Sequence, residues 1–215
     1  MNFGELKAEL RARLSIATGN SFWTDEMLGE WINQANRWAC TYKYWPFTEK
    51  AKYTVSRANA RYYDYPPTFR TDSIRRLEID GTEYEKKRYE DFMKYIKENP
   101  NGTDKIFSDF ERFYFIHPVV KEDGKEIVVW GQEKPKKLEN DEDTTPFSEG
   151  EEDGEEAIIK RALMIALQKA KKYTEAQIQK EEAKEILEQI WSRIKEEQAL
   201  YQTKDRPFFD VPQFF

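Results

Sequence analysis

The sequence predicts an α+β protein, mainly α: a helical bundle built from an N-terminal hairpin and long C-terminal helices, with a small antiparallel β region inserted between them. Three observations carry this expectation. Apolar residues recur every three or four positions at both ends of the chain, the period of a helix with one buried face. The middle is a series of short β-branched or aromatic runs separated by turn dipeptides. Aromatic residues make up 15% of a chain that is 35% charged, so it can bury enough apolar surface to fold despite its charge.

Residues 3–16 read as the first helix, with Phe3, Leu6, Leu10, Leu14 and Ala17 on one face. Thr18-Gly19-Asn20 breaks it, because glycine and asparagine tolerate left-handed backbone. Thr24 is a candidate N-cap: its hydroxyl can accept from a free amide of the next turn, and Asp25 and Glu26 suit the positive helix end. The helix that follows presents Leu28, Trp31, Ile32, Ala35, Trp38 and Ala39. It is expected to end near Tyr44, since Pro46 disfavours helix at Trp45.

The middle predicts strands at residues 52–56, 61–65, 73–80, 107–117 and 126–131, and a short helix at 89–97. Pro66-Pro67, Asp80-Gly81, Asn101-Gly102 and Asp123-Gly124 separate them, proline by fixing φ and glycine by supplying φ > 0. Asp80-Gly81 and Asp123-Gly124 have the composition of hairpin turns. Residues 135–154 turn acidic and loop-like, with Glu139-Asn140-Asp141-Glu142-Asp143 before Thr144-Thr145-Pro146.

A long periodic segment follows. Ile158, Ile159, Ala162, Leu163, Ala166, Leu167, Ala170 and Tyr173 form one stripe, and Ile178, Ala183, Ile186, Leu187, Ile190, Trp191 and Ile194 a second. Thr174 and Gln177, at capping-box spacing, mark a restart between them. The helix at 24–44 is expected to pack on the helix at 155–173, with Trp31, Ile32, Leu163 and Leu167 in the bundle core. Residues 1–48 and 151–203 thus read as the bundle, 49–150 as a β-rich insertion with an acidic loop, and 204–215 as an extended C-terminal tail. The tail holds Phe208, Phe209, Phe214 and Phe215 beside two prolines. Each buried phenylalanine is worth about 1.5–3 kcal/mol, so the tail either folds back on its own core or docks on another subunit.

The composition and motifs exclude several function classes. The net charge of −6 gives no general basic excess for nucleic acid, although Arg75-Arg76 and Lys86-Lys87-Arg88 are short basic clusters. The single cysteine, Cys40, forbids an internal disulfide and a cysteine-cluster metal site, and its apolar helical setting reads as a small buried hydrophobe. One histidine, His117, cannot supply a di-iron bundle or a zincin. It ends a strand before a proline, where a satisfied hydrogen bond is the expected role. No P-loop, dinucleotide fingerprint or nucleophile elbow is present, and the acidic segment lacks the glycine of a calcium loop. No cofactor or metal is expected. No apolar run approaches the ~20 residues that span a bilayer, so a soluble protein made in a reducing cytoplasm, without membrane contact, is expected.

Three motifs then resemble one family in order. Trp23-Thr24-Asp25-Glu26-Met27-Leu28-Gly29-Glu30-Trp31-Ile32-Asn33-Gln34-Ala35 is similar to the start of the second helix in head-to-tail adaptors of tailed bacteriophages. Asp64-Tyr65-Pro66-Pro67-Thr68-Phe69-Arg70, followed by Ile74-Arg75-Arg76-Leu77 and Ile79-Asp80-Gly81, looks like their β segment. Trp130-Gly131 through Pro135 and Leu138, with Ala157-Ile158-Ile159 opening a long helix, looks like their C-terminal region. The resemblance implies a non-enzymatic virion protein of the neck or connector. It would form a ring of identical subunits, usually twelvefold, that binds the portal protein and offers a platform to tail or stopper proteins. DNA would pass through the ring without sequence-specific binding. Within that frame Phe208, Phe209, Phe214 and Phe215 are the anchors expected to dock on the portal or a neighbouring subunit. Two other readings stay open: a helical protein-interaction module of other purpose, and a carboxylate-based glycosidase, which needs only two well-placed acids.

Overall fold

The computed structural model describes residues 1–18 and 23–203, with side chains described through 199. The chain divides into two compact units, Met1–Lys43 with Lys137–Phe215, and Tyr44–Lys136.

Helices make up the first unit: α1 (Phe3–Thr18), α2 (Asp25–Tyr42), the short α4 (Pro146–Gly150), α5 (Asp153–Lys169) and α6 (Tyr173–Thr203). Thr24 caps α2 as its sequence suggests, its hydroxyl accepting from Met27 N at 3.3 Å. The inward stripe of α1 is Phe3, Leu6, Leu10 and Leu14, all buried. α2 packs on α5, and α5 on α6. The two long helices are separated at Ala170–Lys172, where Lys171 takes φ 59° and Lys172 N–H reaches back to Leu167 O at 2.9 Å. A left-handed residue followed by that reach-back ends α5 without a glycine.

The acidic segment has a structural role that its composition hides. Phe3 N donates to Asp143 O at 2.8 Å and Gly4 N to Asp141 O at 3.0 Å, so its carbonyls satisfy amides at the open end of α1. The Asp143 carboxylate accepts from Glu139 N and Asn140 N at 2.7 and 2.8 Å, and these backbone bonds hold its pKa below the usual carboxylate value. Phe147, on α4, is fully buried against Gly154 of α5.

The second unit corrects the expected architecture. The β region is neither small nor purely antiparallel: the described residues are 49% helix and 21% strand, and they include a seven-stranded, curled mixed sheet, a half-barrel. The strands are β1 (Glu49–Val55), β2 (Tyr62–Asp64), β3 (Arg76–Ile79), β4 (Thr82–Lys86), β5 (Ile106–Phe110), β6 (Phe113–His117) and β7 (Glu126–Gln132). Their order is β1-β7-β3-β4-β5-β6-β2. β4 and β5 are parallel, joined by α3 (Tyr89–Glu98), because parallel neighbours need a crossover rather than a hairpin.

Two turns account for the rest of the difference. Asp80 and Gly81, at φ 50° and 71°, do form the β3–β4 hairpin. Asp123-Gly124 reverses the chain but joins no paired strands: β7 lies between β1 and β3, far from β6 in the sheet. The run 107–117 is two strands, folded back at Glu111 with φ 55°. Tyr63, Phe69, Ile74, Leu77, Phe107, Tyr114, Ile116, Ile127 and Val129 pack into one buried core cluster of this unit.

Candidate functional site

The motifs of the family resemblance prove to be internal clamps. In the second unit the Tyr65 hydroxyl accepts from Ser73 N at 2.7 Å and Ile74 N at 3.1 Å and donates to Arg70 O at 2.9 Å, which ties the Pro66-Pro67 loop to the start of β3. Phe69 is 1% exposed and lies so close over Gly131 that a Cβ there would sit 2.7 Å from its ring. The Asp-Tyr-Pro-Pro-Thr-Phe-Arg and Trp-Gly motifs are therefore one packing device. In the first unit Asn33 binds the backbone of Leu138.

The groups that could have carried chemistry are also occupied. His117 ends β6, is 4% exposed, and has Nε2 3.0 Å from Gly102 O. Cys40 is buried and burial pushes its thiol up to about 12, so it is an inert thiol at neutral pH. Arg75, Arg76 and Lys86 of the basic clusters are engaged within the chain. Arg75 lies over Tyr44 at 4.3 Å, Arg76 pairs with Glu78 and covers Trp130, and Lys86 binds the buried Asp109 at 2.7 Å. Among the described residues no group of three or more His, Cys, Asp or Glu is placed to hold a metal, and no helix is long and apolar enough to cross a membrane.

What remains exposed is suited to contact. One face of the second unit carries an aromatic ladder: Tyr62 against Phe113 at 5.4 Å, and Tyr89 stacked on Phe110 at 4.4 Å and against Phe115 at 5.4 Å. Tyr62 and Phe110 are 53% and 42% exposed. Large apolar side chains held together in water are a mark of interaction surfaces.

A groove of about 540 Å³ is the second such feature. β1 and β2 are the opposite edges of the sheet, yet both line it: Lys52, Tyr53, Thr54 and Val55 on one side, Tyr63, Asp64, Tyr65, Pro66 and Pro67 on the other. The curl of the sheet has brought its two unpaired edges to one cleft. Tyr114 lines it too, and its hydroxyl is buried with no hydrogen-bond partner among the described residues. Burial, then the nearby Tyr63 and Asp64, push that hydroxyl's pKa up.

The bundle residues singled out from sequence lie where α2 and α5 meet the first unit's interior: Trp31 and Leu163 are each 6% exposed, Ile32 and Leu167 0% and 1%. The docking residues Phe208, Phe209, Phe214 and Phe215 lie outside the described residues. The groove and the ladder were missed in the sequence, because both depend on which strands end up at the sheet's edges.

No curated protein matches the chain at a significant level. A family match covers residues 1–207, nearly the whole sequence: the chain belongs to the SU10 adaptor protein family, a family of phage head–tail adaptors.

Proposed function

We propose that this protein is a structural, non-catalytic adaptor that forms a ring of identical subunits below the portal and offers a platform to tail or stopper proteins, with DNA passing through. The observation that carries the reading is the family match over residues 1–207. Membership in a phage adaptor family supports a structural place in the virion and contact with other virion components. Two unpaired sheet edges and an exposed aromatic ladder supply area for such contacts. The net charge of −6 suits a channel wall that does not grip DNA. A ring of twelve is the number the resemblance implies.

The tail, residues 206–215, belongs to this proposal as an intermolecular anchor through Phe208, Phe209, Phe214 and Phe215. Its prolines lower the entropy lost on docking. The test mixes the full chain with the portal protein of the same phage and sediments the mixture, in parallel with a variant lacking residues 206–215. Co-sedimentation of the full chain in several copies per portal ring, lost in the shortened chain at unchanged thermal stability, supports the reading. No co-sedimentation of the full chain contradicts the adaptor role. Retained binding with a large loss of stability shows that the tail completes the subunit's own core.

A further inference from the structure

The groove of about 540 Å³ is lined by both β1 and β2, the two edges of the curled sheet. Among the described residues β1 pairs only with β7 and β2 only with β6, so the outward edge of each has no strand partner there. An edge of this kind is a template for another strand unless something covers it. The first half of β1 carries protective lysines, Lys50 and Lys52, but its second half exposes Tyr53 (69%) and Val55 (58%).

The chain holds a segment whose composition suits this groove, which is lined by Tyr53, Tyr63, Tyr65 and two prolines and carries Arg57 and Lys52 beside Asp64. Twelve residues follow Thr203, enough to reach about 40 Å when extended. Pro207 and Pro212 bracket Phe208-Phe209-Asp210-Val211. Proline cannot donate to a ladder, so the stretch able to pair as a strand is these four residues. The part of β1 that lines the groove is also four residues, Lys52 to Val55. The groove's tyrosines and prolines suit phenylalanine side chains, and alternate side chains of an added strand fall into pockets while the backbone pairs with the edge. Arg57 lines the groove, lies over Tyr63 at 5.5 Å and has no carboxylate partner among the described residues. Asp210 provides one. The unpartnered Tyr114 hydroxyl is a donor that an incoming carbonyl can accept from.

We infer that residues 208–211 of one subunit enter the β1–β2 groove of the neighbouring subunit as an added strand. The inference rests on the ring reading above and gives the tail a receptor. A segment of each subunit seated in the next is a head-to-tail contact, which closes into a ring when the rotation allows.

Hydrogen exchange on the full-length protein tests it. Amides in Lys52–Val55 and Tyr62–Asp64 should exchange at least about tenfold more slowly than in the Phe208→Ala/Phe209→Ala variant, with no difference at the sheet centre, Ile127–Val129. The protection should fade on dilution. Arg57→Glu should abolish it and Arg57→Glu/Asp210→Arg should restore it, a rescue that a merely destabilised sheet would not show. Equal exchange in the parent and the double-alanine variant overturns the inference. Protection that survives dilution overturns it as well, since the segment then folds onto its own subunit. Portal co-sedimentation, measured on the same proteins, separates the two readings. Portal binding with unprotected edges removes the groove contact and leaves the adaptor, whereas concentration-dependent protection without portal binding removes the adaptor and leaves the contact between subunits.

Discussion

The side chain of Asn33 holds the backbone of Leu138 from both sides: Nδ2 donates to Leu138 O at 2.9 Å, and Oδ1 accepts from Leu138 N at 2.8 Å. Nδ2 also reaches Gly29 O at 3.0 Å, one turn back in α2. Asn33 is 6% and Leu138 3% exposed, so removing the amide takes away the partner of two largely buried backbone groups. Within the first unit this pair joins α2 to a segment 105 residues away in sequence. Asn33→Ala should lower stability by about 1–3 kcal/mol, the cost of leaving buried backbone groups unpaired. Denaturant titration reads it. Asn33→Asp should be worse at neutral pH than in acid, because its carboxylate would face two carbonyl oxygens and its pKa would rise. The lost stability should return as pH falls through that raised value.

Trp31→Ala and Leu163→Ala should each cost about 2–5 kcal/mol. Both side chains are 6% exposed, on helices that pack together, and each truncation leaves a cavity. Thermal melts at or near the parent value for both variants would contradict that packing.

Gly154→Ala should destabilise, although alanine is the better helix former by about 1 kcal/mol. A Cβ at Gly154 would lie 2.0 Å from Cδ1 of the buried Phe147. Relief of that clash requires shifts worth about 1–3 kcal/mol. Adding Phe147→Leu should recover part of the loss, so a double-mutant cycle with no coupling counts against the contact.

The bidentate pair of Arg13 with Glu156, at 2.6 and 2.9 Å, links α1 to α5. Burial raises the Glu156 pKa, but the hydrogen bond and charge of Arg13, with Lys160, outweigh it and the net direction is down. The pair therefore adds stability above the ordinary carboxylate range and loses it as pH falls through the depressed value. Both side chains are about a third exposed, so the gain stays below about 1 kcal/mol. The stability gap between the parent and Glu156→Gln should narrow as the solution is acidified. A gap that widens would mean that the Glu156 pKa is raised by folding, not lowered.

The helices were legible because their stripes are regular and their ends are marked. Thr24 caps α2, and the α5–α6 break falls just before Thr174, where the spacing placed a restart. The sheet was legible only in part. β4 reads Thr-Glu-Tyr-Glu-Lys and buries Tyr84 alone, so no apolar alternation announces it. β5 and β6 merge into one aromatic run because their turn uses Glu111 at positive φ instead of glycine. Asp123-Gly124 reports a reversal but not a partner, and β7 goes on to pair with strands from much earlier in the chain. The groove lies further still from sequence, since it exists only after the sheet has curled its two edges toward each other.

The proposed place of this chain is between head and tail. Cryo-electron microscopy of the assembled particle tests it most directly, with the chain's density traced at the neck. The account predicts a ring of copies against the portal, each showing the half-barrel and the α5–α6 pair. Density for this chain only in the capsid shell or the distal tail, or its absence from purified particles, would contradict it.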